Sequence, residues 1–269
     1  MTGLMLLGCG KMGQAMLAGW LERGIRPEEV LVVDPGVPAR EFAEARRVPV
    51  LADADRLPAS FAPDMVILAV KPQSMAEAVQ PLVRQLADRP VYLSIAAGKT
   101  IASFEGWFGP AARIVRAMPN TPAAIGRGMI VACANANVDR AARQLADRLL
   151  GAVGAVAWVE DEGLMDAVTA VSGSGPAYVF LLIETLAAAG TAAGLPPDLA
   201  LELARRTVAG AGELALGASE GPDQLRRNVT SPGGTTEAAL EVLMGEDGLA
   251  PLMRRAVAAA TRRSRELAG

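Results

Sequence analysis

The sequence predicts an α/β chain in two parts: a parallel sheet covered by helices on both faces over residues 1–160, then an all-α half over 161–269. Three observations predict it. Short apolar runs without polar alternation recur through the first half, separated by helical patterns, as strands buried on both faces require. The first of these runs leads straight into a glycine-patterned turn and a helix. Beyond Val159 the texture changes: only Tyr178 and Phe180 of the ten aromatics lie past residue 160, and all three lysines, Lys11, Lys71 and Lys99, precede it. A length of 269 residues suits this division, at ~150 residues per domain.

Taken in order, Leu4-Met5-Leu6-Leu7 reads as the first strand and Lys11 to about Arg23 as the helix after it. Val30-Leu31-Val32-Val33 is the next strand, and residues 65–70 (MVILAV) form a later one. Val91-Tyr92-Leu93-Ser94-Ile95 and Ile114-Val115-Arg116-Ala117 follow. In the second half helices are expected over 164–171, 176–193, 197–216, 235–244 and 249–267, punctuated by Gly-Pro and Pro-Pro. Their small side chains let helices approach closely, which predicts a tight bundle. Residues 177–195 carry one charge, Glu184, and are long enough to span a bilayer. They are rich in Ala and Gly and lack flanking Lys or Arg, so they read as a buried helix, apolar all round. A half-chain of such helices is too hydrophobic on too many faces to stand alone, which predicts a homodimer.

Composition excludes several function classes. With 51% apolar and 20% charged residues the chain has the material for a packed core. A net charge of −3 argues against a nucleic-acid surface. There is no histidine, which removes Ser-His-Asp and Cys-His catalysis and His-ligated metals together. Cys9 and Cys133 are too few for a disulfide framework or a four-cysteine zinc site, so no metal is expected and a reducing cytoplasm fits. The first apolar run has no basic region before it and does not read as a signal peptide.

Gly8-Cys9-Gly10-Lys11-Met12-Gly13 follows a strand and opens a helix, the context of a dinucleotide fingerprint in a Rossmann-type domain. The first glycine permits the turn, the second lets backbone approach a pyrophosphate, and the third lets helix and strand pack. Asp34 ends the second strand, 21 residues after Gly13. An acid there accepts from the adenosine ribose hydroxyls and favours NAD over NADP, while Arg40 offers a route to a 2′-phosphate. Ala69-Val70-Lys71-Pro72 lies at a strand's carboxyl end, where an open sheet binds ligands; Lys71 reads either as a phosphate or ribose contact or as a surface lysine. Ala96-Ala97-Gly98 offers small residues against which a nicotinamide ring could lie. Met118-Pro119-Asn120-Thr121-Pro122 is a rigid polar turn or a loop lining the site. Ser172-Gly173-Ser174-Gly175-Pro176 and residues 230–236 (TSPGGTT) each precede a helix and bring hydroxyls and accessible amides together, as a carboxylate site would.

In this order GCGKMG, LAVKP, SIAAG, RAMPNTPA, SGSGPAY and TSPGGTT resemble the pyrroline-5-carboxylate reductase family over essentially the whole chain. The resemblance implies a Rossmann domain and a helical dimerisation domain whose dimers can assemble into larger rings. It implies reduction of 1-pyrroline-5-carboxylate to L-proline, the last step of proline synthesis, with NADPH or NADH. On this resemblance Gly8, Cys9, Gly10, Lys11, Met12, Gly13, Asp34, Ala69, Val70, Lys71, Pro72, Ala96, Ala97, Gly98 and Asn228 fall on cofactor positions. Ser231, Gly233, Gly234, Thr235 and Thr236 fall on the substrate loop, Ser231 and Thr236 as its catalytic hydroxyls, and Glu162 matches a position near bound proline. Asp34 stands where members preferring NADPH often carry Ser or Asn.

The chemistry tolerates the missing histidine. A cyclic imine takes a hydride at carbon and a proton at nitrogen, and it can bind already protonated or take its proton from a hydroxyl or water. Thr236 is the candidate for the ring nitrogen. Two other readings compete. β-Hydroxyacid and ketopantoate-type dehydrogenases share the layout but use a lysine in the helical half, which has none here. A non-catalytic NAD(P)-sensing protein would keep the fingerprint and have no use for a second anion loop.

Overall fold

The computed structural model describes residues 3–86 and 89–268. In chain order its principal elements are β1 (Leu4–Leu7), α1 (Lys11–Glu22), β2 (Val30–Val33), α2 (Val37–Glu44), β3 (Val50–Leu51) and β4 (Met65–Leu68). Then come α3 (Met75–Ala78), α4 (Gln80–Gln85), β5 (Val91–Ser94), α5 (Ile101–Phe108), β6 (Arg113–Met118) and β7 (Gly128–Ala134). After α6 (Arg140–Leu150) and β8 (Gly154–Trp158) the chain is helical: α7 (Met165–Val168), α8 (Gly175–Ala192), α9 (Pro197–Gly217), α10 (Pro222–Asn228), α11 (Thr235–Leu243) and α12 (Leu249–Ala268).

The strands form one sheet in the order β3-β2-β1-β4-β5-β6-β7-β8. Order reverses around β1, whose neighbours β2 and β4 both run parallel to it, so the crevice beyond the carboxyl ends of these strands is the topological switch point. Leu4 and Leu6 join a core layer with Met16, Leu17, Trp20 and Leu149, while Met5 and Leu7 join the opposite layer with Met75, Tyr92 and Phe104. Two buried faces explain why the strands do not alternate.

Two expectations about the sheet are corrected. The sheet is not wholly parallel: β7 runs antiparallel to β6 in register Val115↔Ala134 to Met118↔Val131. A nine-residue connection, 119–127, with a short 3-10 turn over Thr121–Ile125 replaces the crossover helix that a parallel partner would need. The strand expected over 65–70 stops at Leu68, because Ala69 and Val70 already turn toward the loop. By compactness, one unit comprises Met1–Gly173 with Ala260–Gly269, and the other is Ser174–Ala259. Side chains explain why the first unit includes the end of α12. Asp166 accepts from Ser264 Oγ at 2.6 Å and lies 3.7 Å from Arg265 Nε, tying the segment after β8 to the end of α12.

The helical unit departs from the expected tight bundle. Helices α8 and α9 pack as a hairpin through a four-residue connection, with Gly190 against Ala200 and Leu195, but the remaining helices of the unit bury little. The expected buried helix over 177–195 is the clearest correction, since no residue of α8 is buried in the single chain. Phe180 is 62% exposed, and Val179, Leu181, Leu182 and Leu186 are exposed beside it. The helical run Glu162–Ala192 is long and apolar enough to cross a membrane by length and composition. Its apolarity was legible; what covers it lies outside one copy of the chain.

Candidate dinucleotide and substrate site

In the sheet unit the fingerprint is shaped by close packing. Gly8 has φ +92°, and a Cβ there would lie 2.8 Å from the Ala69 carbonyl oxygen. A Cβ on Gly13 would stand 2.5 Å from the Gly8 oxygen. Gly10, by contrast, meets no protein atom within 4 Å of its absent Cβ and is exposed. The first and third glycines are therefore required by the protein itself, and the second leaves open space where a pyrophosphate would come. Lys11, Met12 and Gly13 start α1, whose N-cap Gly10 has no side-chain cap, so the first amides remain for an anion.

Asp34 does more than end β2. Its Oδ2 accepts from Cys9 N at 2.6 Å and its Oδ1 from Gly36 N at 2.7 Å, so the carboxylate clasps the fingerprint loop and its own turn. On α2, the Arg40 Nε is buried without a partner among the described residues. That orphaned donor, six residues beyond the acid in sequence, suits a phosphate oxygen. Both observations fit a dinucleotide. Burial pushes the Cys9 thiol up to about 11, with Asp34 adding to the rise and Arg46 opposing it, so Cys9 is a neutral packing group here.

At the neighbouring strand ends, Ala69 N donates to Leu7 O, and Lys71 is exposed ahead of Pro72, which begins a 3-10 turn. Ala96 and Gly98 are buried and Ala97 half-buried. Gly98 has φ +73°, and its missing Cβ would lie 3.2 Å from the Leu267 oxygen. Its bare side is thus filled by the last turn of α12, which narrows the backbone surface expected for a nicotinamide to Ala96 and Ala97. Glu162 accepts through Oε1 from Ile101 N at 2.9 Å and from Arg116 Nη1 at 2.7 Å. Asn120 is structural: it donates to Ser172 and accepts from Met129 N.

The helical unit carries the other residues on one continuous stretch. Asn228 ends α10, with its side chain engaged by Gln224 and Glu220. Ser231 O accepts from Gly234 N at 3.0 Å, closing a turn in which Gly233 has φ +68°. Gly234 is the N-cap of α11, and a Cβ on it would lie 2.9 Å from Ser231 O. The amides of Thr235 and Thr236 open the helix and have no acceptor among the described residues. Gly233 N already donates to Glu237 Oε2 at 2.7 Å, so a carboxylate of the chain itself occupies this loop. The sheet unit therefore gathers the fingerprint, Asp34, residues 69–72, residues 96–98 and Glu162, while the helical unit holds Asn228 and residues 231–236 as a separate group.

Known proteins match both units. A family model described as pyrroline-5-carboxylate reductase dimerisation matches residues 162–267, and one described as NADP oxidoreductase coenzyme F420-dependent matches residues 4–98. The pyrroline-5-carboxylate reductase of Pseudomonas aeruginosa is 41% identical over 270 residues, spanning 97% of this chain and 95% of that protein. The chain belongs to the pyrroline-5-carboxylate reductase family. That of Synechocystis sp. is 42% identical over 263 residues, spanning 97% of each. A solved pyrroline-5-carboxylate reductase from Coxiella burnetii superposes with a TM-score of 0.93 at 36% identity, over 100% of this chain and 99% of that one. The Plasmodium falciparum pyrroline carboxylate reductase, solved with NADP bound, gives 0.86 at 29% identity, over 100% and 98%. The family membership makes this chain an NADP-type oxidoreductase with a Rossmann-like domain and a helical dimerisation domain.

Sequence reasoning passed over the partner of one candidate site residue, Glu162. Arg116 is only 4% exposed and pairs with Glu162 inside the sheet unit. The signal was present: an arginine within the apolar run Ile114-Val115-Arg116-Ala117 has to find a partner if the strand is buried.

Proposed function

We propose that this chain reduces 1-pyrroline-5-carboxylate to L-proline with NADPH or NADH, acting as a cytoplasmic homodimer. The observation that carries the reading is near-full-length identity of about 40% to reductases of this name; two glycine-bearing loops that open helices, one on each unit, support it. Residues 1–160 are assigned the dinucleotide, and residues 161–269 dimerisation and the substrate loop. The apolar face of α8, with Phe180 and Leu182, is assigned to a second copy of the chain rather than to lipid, since residues 162–267 match a dimerisation family model. Larger rings of dimers belong to the same reading.

A bound dinucleotide would supply a hydride to the imine carbon; an imine bound already protonated at nitrogen would then become the neutral secondary amine without a further acid. The residues fitted to the dinucleotide are Gly8 to Gly13 at the phosphates, Asp34 and Arg40 at the adenosine ribose, and Lys71 with Ala96 and Ala97 toward the nicotinamide. The first amides of α11 and the positive end of its dipole hold the substrate carboxylate. Gly234 keeps that approach free of side chains. The Thr236 hydroxyl, on the first turn, hydrogen-bonds the ring nitrogen as it becomes an amine, with Ser231 at the loop's other end. On the sheet unit, Glu162 is assigned as acceptor for the N–H of the protonated ring nitrogen. Orienting the imine and shielding it from water are the protein's remaining tasks.

The test is direct. Purified chain should oxidise NADPH or NADH, followed by the loss of nicotinamide absorbance, only when pyrroline-5-carboxylate is added. Absence of turnover with either cofactor in a folded dimer overturns the reading.

A further inference from the structure

Arg116 sits on β6 between Ser94 of β5 and Cys133 of β7, one residue of each opposite it in register. Its side chain is 5% exposed, and its one ion-pair partner among the described residues is Glu162, at 2.7 Å. A guanidinium so buried is tolerated only when its charge is met. The same oxygen, Glu162 Oε1, also accepts from Ile101 N, the first residue of α5. One carboxylate oxygen therefore joins three segments: β6, the start of α5, and the stretch following β8. The start of α5 directly follows the loop holding Ala96, Ala97 and Gly98. Glu162 Oε2 accepts from no described residue, and the side chain keeps 29% exposure.

We infer that Arg116 is a positioning residue for the reaction: by occupying Oε1 it fixes the start of α5 and leaves Oε2 as the oxygen offered to the N–H of the protonated imine. The inference rests on the proposed reductase reading for its kinetic consequence, and on geometry alone for its structural one. Arg116 touches neither substrate nor cofactor. It acts through Glu162, so its removal should mimic an altered Glu162 rather than a generally loosened fold. Fingerprint binding of the dinucleotide lies at other strand ends and should not respond.

The experiment compares R116K, R116Q, R116M, E162Q and R116M/E162Q in the full-length chain, by steady-state kinetics, NADPH titration and amide exchange at Ile101. R116M should lower kcat by about tenfold or more, the scale of a misplaced contact group, with NADPH affinity within about twofold of the parent. R116K should recover most of that loss and R116Q little. The double variant should be no worse than its more impaired single variant, since both act through one carboxylate. Exchange at Ile101 should quicken in R116M and R116Q and stay near parental in R116K. R116K as impaired as R116M, losses that multiply in the double variant, or Ile101 exchange unchanged in R116Q would each overturn the inference. If R116M does not fold, R116K and R116Q give the same contrast. If the parent chain shows no imine reduction the reductase reading fails, and Ile101 exchange still decides the role of Arg116.

Discussion

The two units solve burial in opposite ways. The sheet unit is complete within one chain: both faces of its sheet are covered, and Trp20, Tyr92 and Phe104 are fully buried. The helical unit has no such interior, and α8 exposes Phe180, Leu181, Leu182 and Leu186. A unit that keeps its apolar faces outward is stable only when another surface removes them from water. The proposed fingerprint contacts are therefore local to one unit, whereas the proposed substrate loop, at the start of α11, sits on a unit whose apolar faces stay exposed in one copy.

The largest effect should come from breaking that dependence. Phe180→Glu places a charge on the apolar face of α8, whose burial in a dimer would then leave it unpaired. Sedimentation should show monomers, and imine reduction should fall below detection, while NADPH titration still reports binding by the sheet unit. A Phe180→Glu dimer with normal turnover would show that this face is not the one a second copy covers.

Next come the fingerprint glycines, which separate fold from ligand within the sheet unit. Gly13→Ala drives a Cβ to 2.5 Å from the Gly8 oxygen and should cost roughly 1–3 kcal/mol of stability as well as cofactor affinity. Gly10→Ala meets nothing in the protein, so thermal denaturation should be unchanged while NADPH affinity falls by about tenfold or more. Equal losses of stability in the two variants would assign Gly10 to packing instead of to the pyrophosphate.

On the helical unit the matching pair is Thr236→Ala and Gly234→Val. Thr236→Ala should mainly lower kcat, by roughly a hundredfold, because its contact strengthens as the nitrogen becomes an amine. Gly234→Val puts side-chain atoms against Ser231 O and should mainly raise KM for the imine. NADPH affinity should survive both. Near-parental turnover in Thr236→Ala would remove the hydroxyl from the mechanism, and an unaltered KM in Gly234→Val would move the carboxylate elsewhere.

Asp34 gives a smaller effect with a twist that the structure adds. The sequence reading made the residue a discriminator against the 2′-phosphate, so Asp34→Ser should shift preference toward NADPH by ~1–3 kcal/mol. Because Asp34 also accepts from Cys9 N and Gly36 N, the same change should weaken both cofactors. Arg40→Ala should weaken NADPH more than NADH. Unchanged cofactor ratios in both variants, measured as kcat/KM, would take these two residues away from the ribose.

What the sequence disclosed follows the same divide. Runs such as MVIL and VLVV have only one good reading, so β1, β2, β4, β5 and β6 were legible. Strands β7 and β8, GMIVACA and GAVAW, are diluted by Gly and Ala, which have weak strand propensity, and β3 has two residues. The fingerprint and the TSPGGTT loop announced themselves through glycines and hydroxyls next to helix starts. The Asp34 clasp, Gly98 under Leu267 and the Arg116–Glu162 pair did not, because each joins residues distant in sequence whose meeting only the fold decides. Helix α8 read as buried because periodicity cannot say whether the covering surface belongs to the same copy.

The smallest predicted effect also separates the units, since both cysteines lie in the sheet unit and none in the helical one. Burial lifts Cys9 and Cys133 from an ordinary 9.0 to about 11. Around Cys133 the charges of Glu162, Asp161 and Glu160 add to the rise and Arg116 opposes it. The raised values mean that the folded chain holds these protons more tightly than the unfolded chain. Their stabilising contribution is thus fully present below about pH 9 and is lost as pH climbs toward 11. Thermal melts across that window should show the sheet unit losing stability with rising pH. The slope is compared with that of Cys9→Ser/Cys133→Ala, in which it should flatten even though the midpoint starts lower. A slope identical in the double variant would mean that the two thiols do not resist ionisation, and that alkaline sensitivity does not distinguish the two units.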